Sequence, residues 1–373
     1  MKAPSLTLGV EEEYQIVDPE TRELRSYITQ ILKDGEVTVE GVKPELHQSV
    51  LEVGSRVCET AADVHREIAR LRAEVNDLAG RTGLRIMASG THPFASWLDQ
   101  QITPLERYLG VEEDLQEIAR RNLIFGMHVH VGIEDREFLM DCHKVSRYFL
   151  PHLLALSTSS PFWMGRNTGL KSYRCVQWKN FPRTGMPPGF DSYAEYDRII
   201  QTLVKANAIE DASKIWWDVR PHHLYPTLEF RICDICTRVE EAACLAAIFQ
   251  AIVAKLWKLR QDNLTFRVYP LTLLSENKWR AVRYGFEGNF IDLGDGTERP
   301  AREFIHELIE GFLEDVLDEL GSREQVEYAY TILEEGSSAD RQLAVYQETG
   351  DINAVVDHLI VETAQGCRVE AVV

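Results

Sequence analysis

The sequence predicts an α+β protein built on an antiparallel sheet. Strand-like stretches come early and mix with helical ones, without the regular βαβ alternation of a parallel sheet. Long stretches with helical apolar spacing supply the layer that would cover the sheet. No repeat, low-complexity segment or inter-domain linker interrupts the chain, so residues 1–373 are expected to form a single domain, mostly helical over about 297–373.

Residues 6–18 read as the first strand. At their centre stand Glu11, Glu12 and Glu13. Side chains alternate across a strand, so Glu11 and Glu13 share one face and Glu12 takes the other. Two carboxylates on one face repel, so that face must be wet or carry cations. A short helix at 27–33 and a strand at 36–39 follow, then a strand at 45–53. Glu45 and Glu52 are seven apart, so a regular strand would place them on opposite faces. A shared site would need a bulge, or one of them at the strand's entry.

Val64, Ile68, Leu71, Val75 and Leu78 recur at helical spacing across 60–82, with Thr60 as a candidate cap. Residues 84–88 read as a buried strand, 89–104 as a loop and 105–121 as a helix. In the strand at 125–133, His128 and His130 share a face, opposite Met127, Val129 and Val131. A long helix over 134–160 is expected to break at Pro151.

Residues 161–190 read as a Gly/Pro-rich loop, basic in an acidic chain through Arg166, Lys171, Arg174, Lys179 and Arg183. Loops of this length inside a compact domain are usually functional or disordered, and this one is a candidate lid. A helix at 191–208 precedes a hairpin of 215–220 and 227–233, where Glu229 and Arg231 share a face. An Ala-rich buried helix spans 237–260, and the remainder is helical except around 284–299.

Lys plus Arg total 40 and Asp plus Glu 59, a formal net charge of −19. That argues against nucleic acid or an anionic membrane as partner. Apolar runs fall short of the ~20 residues of a membrane span, and no signal-peptide core precedes the first strand. The seven cysteines are odd in number and scattered, which suggests free thiols in a reducing cytoplasm. Cys233 and Cys236 form a lone CxxC, read as structural rather than redox-active or zinc-binding.

Three strands thus each place a polar pair at i, i+2: Glu11/Glu13, His128/His130 and Glu229/Arg231. Singly, each has a plain explanation: a wet strand, a satisfied histidine, a cross-strand salt bridge. Together with Glu45 and Glu52 they describe a sheet face that needs cations, because crowded carboxylates cannot all ionise. Oxygen ligands with one imidazole suit Mg²⁺ or Mn²⁺ better than zinc. Arg231 on that face would meet a transferring phosphoryl group.

Gly-Val-Glu-Glu-Glu-Tyr, Pro-Glu-Leu-His-Gln-Ser-Val-Leu-Glu, Gly-Thr-His-Pro-Phe, Gly-Met-His-Val-His-Val-Gly, Trp-Asp-Val-Arg-Pro and Leu-Glu-Phe-Arg-Ile-Cys-Asp occur in this order. As a set they resemble the type 2 glutamate–cysteine ligases, or carboxylate–amine ligases, of the glutamine synthetase-like superfamily. The resemblance thins after about residue 296. It implies an antiparallel sheet with helices on its outer face and an open, carboxylate-lined inner face. It implies Glu13, Glu45 and Glu52 around one Mg²⁺, and Glu11, His128 and Glu229 around another. Arg231 would face the phosphoryl group and His130 would lie near the nucleotide phosphates; Glu12 points away.

The activity so implied is ATP-dependent amide formation through an acyl phosphate, on a carboxylate such as the side chain of glutamate. Arg231, with Arg174, Arg183 or Arg220, would stabilise phosphoryl charge or hold the substrate carboxylate. A metal-dependent phosphohydrolase or nucleotidyltransferase, and a non-catalytic nucleotide-binding protein, are the alternatives. The expected partners are small molecules, with a homo-oligomer as the expected assembly.

Overall fold

The structure is a computed structural model that describes residues 2–26 and 41–367. The helix expected at 27–33 and the strand expected at 36–39 lie outside the described residues.

One seven-stranded antiparallel sheet organises the fold: β1 (Leu8–Val17), β2 (Val42–Pro44), β3 (Val50–Gly54), β4 (Arg85–Met87), β5 (Met127–Gly132), β6 (Val219–Pro221) and β7 (Thr227–Phe230). The spatial order is β6-β7-β5-β1-β3-β2, with β4 also paired to β1. Glu11 lies opposite His128, Glu13 opposite Glu52, Glu229 opposite both His130 and Arg220, and Lys43 opposite Glu52. Residues directly opposite share a face, so this register gathers all of them on one side.

The other side is apolar. Leu8, Val10, Met127, Val129, Val131, Leu228 and Phe230 are buried in a cluster with residues of the Ala61–Gly80 and Val239–Gln261 helices. Phe230 stacks on Phe249 at 4.1 Å between ring centroids. A second cluster joins Tyr14, Ile16, Leu51 and Val53 to Leu71, Val75 and the C-terminal Val355, Val356 and Leu359. Thr60 caps the Ala61–Gly80 helix in a reciprocal capping box with Asp63.

Several sequence expectations need correction. Residues 45–53 are not one strand. A turn, closed by Val50 N–H donating to His47 O at 3.0 Å, separates β2 from β3. Pro44, which has no N–H for the ladder, ends β2. The 105–121 helix is two, Glu106–Leu115 and Glu117–Arg120, parted at Gln116 with φ +52°. The helices Arg136–Ser146 and Leu150–Ser157 part before Pro151, which sits in the second helix's first turn, where its missing N–H costs nothing.

The Val239–Gln261 helix has 23 residues, and its most apolar 18-residue window has a mean hydropathy of 1.6, so one helix among the described residues does reach spanning length and composition. Its apolar stretch is 78% buried inside the protein, where it backs the sheet. Residues 161–190 are folded: Phe162–Trp163 pairs with Arg166–Asn167, Tyr173–Trp178 is a helix, and Thr184–Gly185 pairs with Trp216–Trp217.

Candidate active site

The polar face of the sheet floors a cavity of about 660 Å³. Glu11, Glu13, Glu45, Glu52, His128, Arg174, Arg220, Glu229 and Arg231 line it, with Trp178, Trp216 and the His222–Tyr225 turn as walls.

Two groups of three residues bring one donor atom each to within 4.8 Å of one another: Glu13, Glu45 and Glu52, and Glu11, His130 and Glu229. The first is built by the β2–β3 hairpin. Lys43 faces Glu52 across that hairpin, so Glu45, two residues on, returns to the same face without a bulge. Gly126 N–H donates to Glu13 Oε2 at 2.6 Å, and Leu46 N–H donates to Glu45 Oε2 at 2.6 Å. Burial, then the Glu45 charge, pushes the Glu13 carboxyl up to about 7. Burial and three neighbouring carboxylates raise Glu52 well above the usual range. Burial also raises Glu45, against the pull of Arg107 and Tyr108. A cluster this reluctant to ionise suits a divalent cation.

The second group contains His130, where the resemblance implied His128. His130 Nδ1 lies 3.2 Å from Thr227 Oγ1, and its buried Nε2 has no hydrogen-bond partner among the described residues. His128 Nδ1 instead lies 3.1 Å from Glu11 Oε2 and 3.3 Å from Arg231 Nη1. Burial and the Arg231 charge bring His128 down to about 4, so it is neutral at pH 7. Burial alone would raise Glu11 and Glu229. The two histidines outweigh it at Glu11, and Arg231 with Arg220 at Glu229, so both stay well below the usual carboxylate range.

Arg220 Nε donates to Glu229 Oε2 at 2.6 Å, and Arg231 pairs with Glu229 Oε1. The Arg231 guanidinium lies 5.9 Å from the Trp178 ring centroid, and its Nε is buried without a hydrogen-bond partner among the described residues. Arg174 is 3% exposed, and its Nη atoms make long bonds, 3.4 and 3.3 Å, to the carbonyls of Ile232 and Arg231. Arg183 is not in this cavity. At φ +57° it donates from Nε to Lys214 O at 2.9 Å and lines a neighbouring cavity of about 570 Å³ with Lys214 and Trp216.

Glu12 lies beneath the sheet, where the fully buried Arg72 donates to both its oxygens, at 2.5 and 3.0 Å. All seven cysteines are free and buried, and burial pushes Cys233 up to about 12. Sequence reading passed over Lys43, Tyr108 and Trp178 in the cavity wall. Lys43 becomes visible only once the 42–53 hairpin is known, since that pairing sets it opposite Glu52.

Among solved structures, a glutamate–cysteine ligase from Francisella tularensis in complex with AMP shares the fold at TM-score 0.71 and 12% identity, over 99% of this chain and 90% of that one. A bifunctional glutathione synthetase from Pasteurella multocida shares it at TM-score 0.69 and 14% identity, over 97% of this chain and 52% of that one. The molecule thus has the fold of these glutamate–cysteine ligase and glutathione synthetase structures. A provisionally named glutamate–cysteine ligase 2 from Roseiflexus castenholzii is 56% identical over 97% of this chain and 96% of its own. A protein of the same provisional name from Chloroflexus aurantiacus is 55% identical over 97% and 93%. The family model for glutamate–cysteine ligase family 2 matches residues 7–358, and the chain belongs to that family.

Proposed function

We propose that the chain is an ATP-dependent carboxylate–amine ligase. The γ-phosphoryl group passes to a carboxylate oxygen, for which the side chain of glutamate is our choice. An amine nitrogen then attacks the acyl carbon, phosphate leaves, and an amide forms beside ADP. One observation carries this reading: two three-donor groups stand side by side on a sheet face that also bears Arg231 and Arg220, with Arg174 reaching the same cavity from the Tyr173–Trp178 helix. The AMP bound by the Francisella relative supports a nucleotide co-substrate.

The donors fit Mg²⁺ or Mn²⁺: five carboxylates and one imidazole, whose buried Nε2 lies 3.8 Å from Glu11 Oε1. When bound, such ions would neutralise phosphate charge and align the γ-phosphoryl group. Glu13, Glu45 and Glu52 would hold one, and Glu11, His130 and Glu229 another. Arg231, anchored by Glu229, presents its remaining donors to the phosphoryl oxygens. Arg220 braces Glu229 from the opposite strand. Arg174 supplies a buried guanidinium for a phosphate or the substrate carboxylate. Trp178, Phe181 and Trp216 give the cavity a wall that limits water at the acyl phosphate.

The test is ADP release with Mg²⁺ and ATP across a panel of amino acids and amines, with the amide identified by mass. Dependence on both acid and amine is expected. Phosphate release that ignores the amine would favour a phosphohydrolase. The free thiols support a reducing cytoplasm as its location. Exposed Leu264, Val268, Leu271 and Trp279 support a homo-oligomer, which light scattering checks.

A further inference from the structure

We infer that Asp234 is a positioning residue of this site, holding the Tyr173–Trp178 helix so that the Arg174 guanidinium stands beside Glu13. This rests on the ligase reading above.

Asp234 is fully buried. Its Oδ2 accepts from Ser160 Oγ–H at 2.6 Å and Ser159 N–H at 3.0 Å, and its Oδ1 accepts from Ser172 Oγ–H at 2.8 Å. Both hydroxyls pass the constraint on. Ser160 Oγ accepts from Arg174 N–H at 3.0 Å, and Ser172 Oγ caps the helix by accepting from Cys175 N–H at 3.4 Å. The carboxylate thus grips the first turn of the helix through two relays.

Two glycines leave room for the assembly. A Cβ on Gly90 would meet Asp234 Cγ at 2.8 Å, and one on Gly126 would meet Arg174 Nη2 at 2.3 Å. Gly126 is also the residue whose N–H holds Glu13, which places the guanidinium beside that carboxylate. Burying a carboxylate is costly, and hydroxyls could be tied by an uncharged acceptor. Burial still holds the Asp234 carboxyl above its usual range, and the nearby Arg174 charge and the three donors offset part of that cost.

The experiment is a double-mutant cycle on steady-state ADP release. Asp234→Asn turns one acceptor into a donor aimed at a hydroxyl or amide. It should lower kcat/KM by about 10- to 100-fold, the range for a charged hydrogen bond. In an Arg174→Ala background the same change should cost no more than about 2-fold. Losses that multiply in the double variant would mean Asp234 acts on the scaffold at large and would overturn the proposal. So would a folded Asp234→Asn with wild-type kcat/KM.

If Asp234→Asn does not fold, Ser160→Ala carries the same cycle, with the same two outcomes. Gly126→Ala, whose methyl meets only the tip of Arg174, should displace the guanidinium at an unchanged melting temperature and reproduce the Arg174→Ala loss. A wild-type protein inert with every acid and amine would remove the ligase reading instead. A crystal structure of Asp234→Asn, or of Ser160→Ala should that variant alone fold, then decides. Arg174 swung away from Gly126 supports positioning, and Arg174 unmoved overturns it.

Discussion

Burial first raises the Glu52 carboxyl, and Glu11, Glu45 and Glu13 then all oppose its charge. Its folded pKa is raised, so the native state keeps a proton that the unfolded chain gives up near pH 4.5, and stability falls as pH rises above that value. Glu52→Gln should therefore stabilise the metal-free protein, by on the order of 1 kcal/mol or more at pH 8 and little at pH 4. Adding Mg²⁺ should raise the melting temperature of the wild type more than that of the variant. Denaturant melts across pH, with EDTA and then with Mg²⁺, check both statements. Arg231 makes a second prediction. Arg231→Lys keeps the charge but loses the planar fork, so kcat should fall by on the order of 10²-fold with little change in the KM for ATP. A salt-bridge role alone would leave kcat nearly intact. Alternation made Glu11, Glu13, Glu229 and Arg231 legible from sequence, because each pair lies within one strand. The partnership of Glu45 with Glu52 was not legible, since it depends on a hairpin whose turn has no strong signature.

At the scale of elements, β7 is held from behind by one aromatic stack. Phe230 sits between Glu229 and Arg231 in sequence, points to the opposite face, and stacks on Phe249 of the Val239–Gln261 helix. Phe249→Ala should destabilise the protein by about 3–5 kcal/mol, read from urea unfolding. It should also weaken activity more than a comparable cavity under β3, such as Leu51→Ala, because it loosens the strand that carries both groups. Strands and long helices were legible because their periods are local. The 161–190 segment was not, for its helix and short ladders are held by distant partners such as Asp234, Trp216 and Trp217. Nor was the choice between His128 and His130, which alternation puts on one face and only the Arg231 and Thr227 contacts separate.

Across the whole molecule, burial holds six histidines low: His47, His92, His128, His152 and His222 at about 4, and His143 at about 3. Their folded pKa values lie below the unfolded value of 6.5, so the unfolded chain binds more protons between about 4 and 6.5. Stability contributed by these groups is present above pH 6.5 and lost as pH falls, with a slope of up to about 1.4 kcal/mol per pH unit for each. Unfolding in acid should therefore begin well above the carboxylate range, and His143→Phe should shift the onset downward. The contacts of the C-terminal helices have a different consequence. Arg22 pairs with Asp357 at 3.0 Å, Ala88 N–H donates to Thr363 Oγ1 at 2.9 Å, and Gln342 donates to the carbonyl of Ser159, next to the relay behind Arg174. A ribosome makes β1 before these helices. The strand with its three glutamates therefore waits, while the rest of the sheet and the helices between are made, for the residues that close over its neighbours, exposed meanwhile to whatever chaperone or stray strand meets it first.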